Sequence, residues 1–154
     1  DDLTSYADAS PEAVKRYFNS VYAVYEKTFL TLKEDDLSIL IKAVEGETLD
    51  VEALKRIDAV LDAFDKSIAE VKKIAVPGEY ENFAITEINY LIKSRRVVKI
   101  LRNADKDLLS SLLMLNFRLS LMEEMRAFHQ KTGKELLKKG IVFSPDEGGY
   151  TFLQ

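Results

Sequence analysis

Apolar residues recur at steps of three and four along most of the chain, which is the spacing of one face of an α-helix. Such stripes predict helices over about 11–32, 50–75 and 79–103, and the second stripe has the regular spacing of a bundle seam. In a fourth segment, Asp105 to Phe128, apolar residues surround the predicted helix. That pattern is typical of an element covered by its neighbours. We therefore expect an all-α fold, an antiparallel four-helix bundle, in which this fourth segment is the central helix.

Capping signals mark where the first helices begin and end. The tripeptide Ser-Pro-Glu at 10–12 offers a hydroxyl N-cap, a proline at the first helical position and an acid in the first turn. The apolar stripe rotates after residue 32, which predicts that the first helix is bent or split near residues 33–36. Asp35 or Asp36 can then cap the new piece.

The C-terminal end of the chain has a different pattern. Residues 141–144 and 150–153 are rich in β-branched and aromatic side chains, and the five residues between them are turn formers. This predicts a short β-hairpin within 141–154. With no linker or repeat in the sequence, we expect residues 1–154 to form one domain preceded by a polar leader at 1–10.

Composition narrows the chemistry that the chain can carry. The sequence has 26 acidic and 22 basic residues, no cysteine and one histidine, so thiolate chemistry, disulfides and His-rich metal sites are excluded and nucleic-acid binding is disfavoured. Glu124 lies five residues before His129 rather than the three of a di-iron bundle motif. We therefore expect His129 to be a terminal or surface residue, and we predict no catalytic residue, metal or cofactor. The longest apolar run, 108–117, is about half of a membrane span.

Charge is distributed unevenly between the second and third predicted helices. Aspartates flank the seam of the second helix, and a ladder of basic residues follows the third at helical spacing. These are Asp58, Asp62 and Asp65, and Arg95, Lys99, Arg102 and Lys106. The favoured interpretation is that the two helices attract each other and pair. The alternative is that Arg95, Lys99 and Arg102 form an anion-binding surface.

Two charged residues interrupt apolar stretches where a buried side chain is expected. Glu87 lies on the stripe of the third helix, and Arg118 lies inside the apolar run of the fourth. Because an isolated charge in the interior is costly, we expect Glu87 and Arg118 to pair, directly or through Asn116 or a water. Such a pair would specify helix register, or alternatively line a polar ligand pocket.

Three tyrosines of the first helix form a second candidate surface. Tyr17, Tyr22 and Tyr25 could line a ligand cleft with their hydroxyl groups. The favoured interpretation is that they lie at the edge of the core, with each oxygen at the solvent boundary.

Several features together resemble small bacterial extracytoplasmic or lipoprotein-type helical domains of unknown function. They are the polar leader at 1–10, the Val-Pro hinge at 76–77 before Tyr80 and Phe83, and the Lys-Gly-Ile-Val-Phe segment at 139–143. The resemblance implies a secreted or lipid-anchored protein, with a cytoplasmic location as the alternative. The chain departs from that pattern because it contains no cysteine for acylation.

These observations favour a noncatalytic helical-bundle domain that binds an unidentified protein or surface component outside the membrane. The basic ladder or the tyrosine edge would be its binding surface. One alternative is a cytoplasmic regulatory domain that binds a polyanion through the ladder. Another is a small-ligand carrier with a cavity between the first, third and fourth predicted helices.

Overall fold

The computed structural model describes residues 3–153, and most of these residues are helical. The described residues contain six α-helices: α1 (Pro11–Thr28), α2 (Asp36–Val44), α3 (Val51–Lys55), α4 (Ile57–Val71), α5 (Glu81–Arg102) and α6 (Leu108–Lys138). Two short strands, β1 (Ser5–Tyr6) and β2 (Val76–Pro77), form one parallel pair. Two 3-10 helices lie at Gly78–Tyr80 and Gly148–Leu153. The prediction of an all-α fold is confirmed.

Cap geometry confirms the predicted starts of α1 and α2, whereas α6 is capped by Asp107 and not by Asp105. The Ser10 hydroxyl accepts a hydrogen bond from the Ala13 N–H at 3.3 Å, with Pro11 in the first turn. The first predicted helix is split, because α1 ends at Thr28 and α2 begins at Asp36. The Asp35 carboxylate caps α2 by accepting from the Ser38 N–H at 2.7 Å. Each cap satisfies an amide that would otherwise lack a partner at the helix end.

The helix at the centre of the packing is α5, not α6. Helix α5 packs against both α4 and α6, and α1 packs against α4. Side chains along the whole of α5 are buried, whereas the first half of α6 leaves large apolar side chains in solvent. The expectation of a central fourth helix is therefore wrong. An all-round apolar pattern arises when neighbours cover a helix, but also when one side packs and the other stays apolar and uncovered.

The core consists of two apolar clusters, and helices α1 and α5 contribute to both. One cluster joins α2, α3, α4 and α5 around fully buried Leu54, Ile57 and Leu101. The other is aromatic and gathers around Phe18 of α1, whose ring meets Tyr80 at a centroid distance of 5.4 Å. Within residues 3–153, none of the helices combines the length and the hydropathy needed to cross a bilayer.

The predicted C-terminal hairpin is not formed. Gly148–Leu153 is a 3-10 helix packed against α1 and α6, and Phe152 is buried in the aromatic cluster. Helix α6 continues through Gly133, where a Cβ atom would lie 1.9 Å from the Phe152 carbonyl oxygen. Gly133 therefore permits close contact between α6 and the C-terminal tail, residues 141–153. The packing of Phe152 overrides the strand propensity of its neighbours. Within the predicted polar leader, Ser5–Tyr6 forms β1.

Candidate functional site

A buried carboxylate connects three helices. Glu87 of α5 is 0% exposed and accepts a hydrogen bond from the Tyr25 hydroxyl of α1. Its Oε2 atom lies 2.7 Å from Nε2 of His129 on α6. Two partners on two neighbouring helices thus share one carboxylate, which is how a charge becomes tolerable in the interior.

A second buried charge pair lies further towards the N-terminus of α6. The Arg118 guanidinium donates from Nε to Asp36 Oδ2 at 2.9 Å and from Nη2 to Asp36 Oδ1 at 3.2 Å. This two-bond geometry is the strong form of an arginine–carboxylate pair. Asp36 is the first residue of α2, so the pair attaches α2 to α6.

Glu87 and Arg118 are both buried, as expected, but the predicted pairing between them is wrong. His129, which binds Glu87, lies eleven residues beyond Arg118 on α6, a separation of about 16 Å along the axis. Glu87 and Arg118 therefore lie at different levels of the α5–α6 contact, and each has a nearer partner.

His129 is not the terminal or surface residue that the sequence predicts. Its side chain is 22% exposed, and its ring meets Phe152 edge-on at a centroid distance of 5.0 Å. Sequence reasoning missed this role because it sought an acid close to His129 in the chain. The one available signal was Glu87 itself, an acid on an apolar stripe that required a partner.

Between the two charge pairs lies an open cavity of about 470 Å³, which we call the α1–α6 cleft. Most of its wall is apolar, formed by Tyr25, Phe29, Phe64, Leu91, Met122 and Met125. Arg118 and His129 also line it, together with Ser94 and Arg126. A concave, mainly apolar space with few polar groups is the usual form of a small-molecule site.

The basic ladder of α5 pairs with the aspartates of α4, as the favoured interpretation predicts. Arg95 donates from Nη2 to Asp65 at 2.7 Å, and Arg102 donates from Nε to Asp58 at 2.8 Å. Hydrogen bonds from Arg95 lower the pKa of Asp65 below its usual value, and the positive charge of Lys99 acts in the same direction. Two of the three proposed anion-binding residues are thus already bound to carboxylates.

The three tyrosines of α1 lie in different surroundings. Tyr17 is 2% exposed, so it belongs to the core and cannot form part of a surface. Tyr22 is half-buried and packs against Gly148, whereas Tyr25 lines the α1–α6 cleft. Burial, reinforced by the adjacent Glu87 charge, raises the pKa of Tyr25 well above its usual value, so this hydroxyl stays protonated and donates to Glu87.

The most exposed apolar surface was not among the predicted sites. Six side chains of α6, between 44% and 70% exposed, form what we call the outer face of α6: Leu108, Leu109, Leu112, Leu113, Phe117 and Leu119. Arg118 is the one charged residue from Leu108 to Met122, and it turns inward to Asp36. Isolated exposed leucines are ordinary, whereas a run of exposed apolar side chains along one helix is uncommon on the surface of a monomeric protein.

No group of three or more histidine, aspartate or glutamate side chains within the described part of the chain is arranged to hold a metal ion. Comparison of the chain with family models, with curated proteins and with solved structures found no match.

Proposed function

We propose that this chain is a noncatalytic protein-association domain, and that the outer face of α6 is its binding surface. The observation that carries the proposal is the exposure of six large apolar side chains along the first half of α6, spread over about half of its circumference, with no charged side chain among them. We propose that the outer face of α6 binds the same face of a second copy of this chain. We further propose that α1, α4, α5 and α6 serve as an antiparallel four-helix bundle supporting that face, since they pack in succession.

The size and spacing of the outer face suit association between two helices. Its six side chains together expose on the order of 600 Å², close to the roughly 800 Å² that each partner contributes to a standard interface. Leu109, Leu113, Asn116 and Ser120 follow one another at steps of four, three and four along the chain. That is coiled-coil spacing, and a single polar residue such as Asn116 in a seam sets the register.

The charges around the outer face favour a protein over a lipid surface. Asp105 and Asp107 precede it and Glu123 and Glu124 follow it, whereas Lys106 is the one base in the short segment before it. Helices that lie on membranes usually carry lysine and arginine beside their apolar face, because cell membranes present anionic lipids. The polyanion alternative is weaker because Arg95 and Arg102 already bind aspartates.

Analytical ultracentrifugation of the folded chain tests the proposal. We expect wild-type protein to sediment as a dimer at about 100 µM, and the double variant Leu109→Gln/Leu113→Gln to sediment as a monomer with unchanged circular dichroism. The matched control is Ile85→Gln/Val142→Gln, which replaces apolar side chains that are 48% and 55% exposed elsewhere on the surface. A monomeric wild type, or a control that dissociates equally, would overturn the proposal.

We also propose an extracytoplasmic location, which rests on the sequence resemblance alone. The coding sequence upstream of Asp1 tests it. A hydrophobic leader ending in a cysteine would support a lipid-anchored protein, and an ordinary cytoplasmic start would overturn the proposal.

A further inference from the structure

The α1–α6 cleft has an apolar interior whose shape can adapt. Phe29 and Phe64 supply aromatic wall, with ring centroids 4.9 Å apart, and Met122 and Met125 supply flexible side chains from α6. Methionine fills irregular space and adjusts to different apolar partners. An elongated apolar group would therefore find continuous contact along this wall.

Each end of the cleft carries a nitrogen-bearing side chain that is held in place by a buried carboxylate. At one end Arg118 commits Nε and Nη2 to Asp36, and at the other His129 commits Nε2 to Glu87. Arg118 Nη1 and His129 Nδ1 take no part in these two carboxylate contacts. The two ends are about 16 Å apart along α6, which sets the length of a ligand that could reach both.

The His129 end carries the more loosely paired guanidinium. Arg126 lies three residues before His129, on the same side of α6, and also lines the cleft. Its contact with Glu123 is long, at 3.6 Å, and both side chains are about 70% exposed, so this guanidinium is weakly held. The charge of Arg118 is by contrast neutralised by a bidentate carboxylate.

We propose that the α1–α6 cleft binds a linear amphiphile of the medium-chain fatty-acid class. Its carboxylate accepts hydrogen bonds from the Arg126 guanidinium, and its chain runs along Met125, Met122 and the two phenylalanines towards Arg118. A volume of about 470 Å³ lies within the usual range for such a site. The proposal is independent of the association function, because the cleft and the outer face of α6 are different surfaces.

Isothermal titration calorimetry with dodecanoate and dodecanol, below their aggregation concentrations, tests the proposal. We expect dodecanoate to bind wild-type protein with one-to-one stoichiometry. Met125→Trp, which fills the cleft without removing a polar contact, should weaken binding at least about tenfold. If Met125→Trp does not fold, Met122→Phe is the second variant that fills the cleft. Arg126→Gln should weaken dodecanoate about fivefold or more while leaving dodecanol nearly unchanged.

The outer-face variant Leu109→Gln/Leu113→Gln is the matched control, and it should bind dodecanoate as tightly as wild type. Loss of binding in this variant, with retention in the filling variants, would place the ligand on the outer face and overturn the proposal. Failure of wild-type protein to bind dodecanoate would also overturn it. An equal effect of Arg126→Gln on acid and alcohol would contradict the placement of the carboxylate.

Discussion

The Nε2 atom of His129 lies 2.7 Å from the Oε2 atom of Glu87, although the two residues are 42 positions apart. The contact fixes α6 against α5 at the level where α1 contributes the Tyr25 hydroxyl. Because Glu87 is 0% exposed, removal of either partner leaves a carboxylate in the interior with an incomplete set of hydrogen bonds.

We therefore expect His129→Ala to lower the free energy of unfolding by about 2–4 kcal/mol, measured by urea denaturation. The double variant His129→Ala/Glu87→Leu should regain a large part of that loss, because the buried charge is gone. If His129→Ala is as stable as wild type, Glu87 does not depend on the imidazole.

The Arg118–Asp36 pair should behave as a buried ion pair. Arg118→Met should cost about 3–5 kcal/mol because Asp36, 2% exposed, keeps its charge without a partner. The double variant Arg118→Met/Asp36→Leu should lie much closer to wild type. The control is the exposed Arg95–Asp65 pair, where Arg95→Met should cost less than about 1 kcal/mol. Equal losses at the two arginines would contradict this account.

Two tyrosines of α1 should respond oppositely to loss of the hydroxyl group. The Tyr17 hydroxyl is buried and has no hydrogen-bond partner among the described residues, so Tyr17→Phe should be neutral or stabilising by up to about 1 kcal/mol. Tyr25→Phe should cost about 1.5–3 kcal/mol because Glu87 loses a donor. Thermal unfolding of both variants measures the difference, and a destabilised Tyr17→Phe would show that its hydroxyl has a partner.

Gly133→Ala should be destabilising although alanine favours helix over glycine by about 1 kcal/mol. The added Cβ would lie 1.9 Å from the backbone oxygen of Phe152, which cannot rotate away as a side chain does. We expect faster hydrogen exchange across 148–153, measured by mass spectrometry. Gly46→Ala is the control, since its Cβ would meet its nearest atom at 3.4 Å and leave the tail unchanged. Unchanged exchange in Gly133→Ala would argue against close packing of the tail.

The attachment of the tail to α1 should weaken in acid. Glu147 accepts hydrogen bonds from the Ser144 N–H and hydroxyl, and from Asn19 and Lys15 of α1. These bonds, those from Ser144 first, lower the pKa of Glu147 from 4.5 to about 2. A depressed pKa stabilises the folded state above the unfolded value, so this contribution should be lost as the pH falls from about 5 towards 2.

Melting temperatures of wild type and Glu147→Gln between pH 7 and pH 2 measure this contribution. The variant should be less stable at pH 7 and should lose less stability in acid. Parallel profiles for the two proteins would show that Glu147 does not couple the tail to pH.

Local features of the fold could be predicted from the sequence. Ser10 and Asp35 cap helices within three residues of themselves, so the signal lies entirely in adjacent positions. The pairing of α4 with α5 could also be predicted, since aspartates recur at helical spacing on α4 and basic residues recur at helical spacing on α5.

The candidate sites could be predicted less well because they depend on contacts between distant residues. Burial of Glu87 and Arg118 follows from their apolar neighbours, but Asp36 is 82 positions from Arg118 and no pattern links them. An apolar stripe also does not reveal whether a neighbour covers it, so the sequence alone does not distinguish the outer face of α6 from the core. In the C-terminal tail, the packing contacts of Phe152 outweigh the β-strand propensity of the residues around it.

The close packing of Phe152 against Gly133 has a practical consequence for the expression of this protein. The ring lies 5.1 Å from Phe18 and 5.9 Å from Phe83, so the last turn of the chain completes an interior that the first helix begins. A recombinant fragment stopped at Gly140 would lack part of its own interior and should precipitate or be degraded. Fragments made for expression should retain every residue through Leu153.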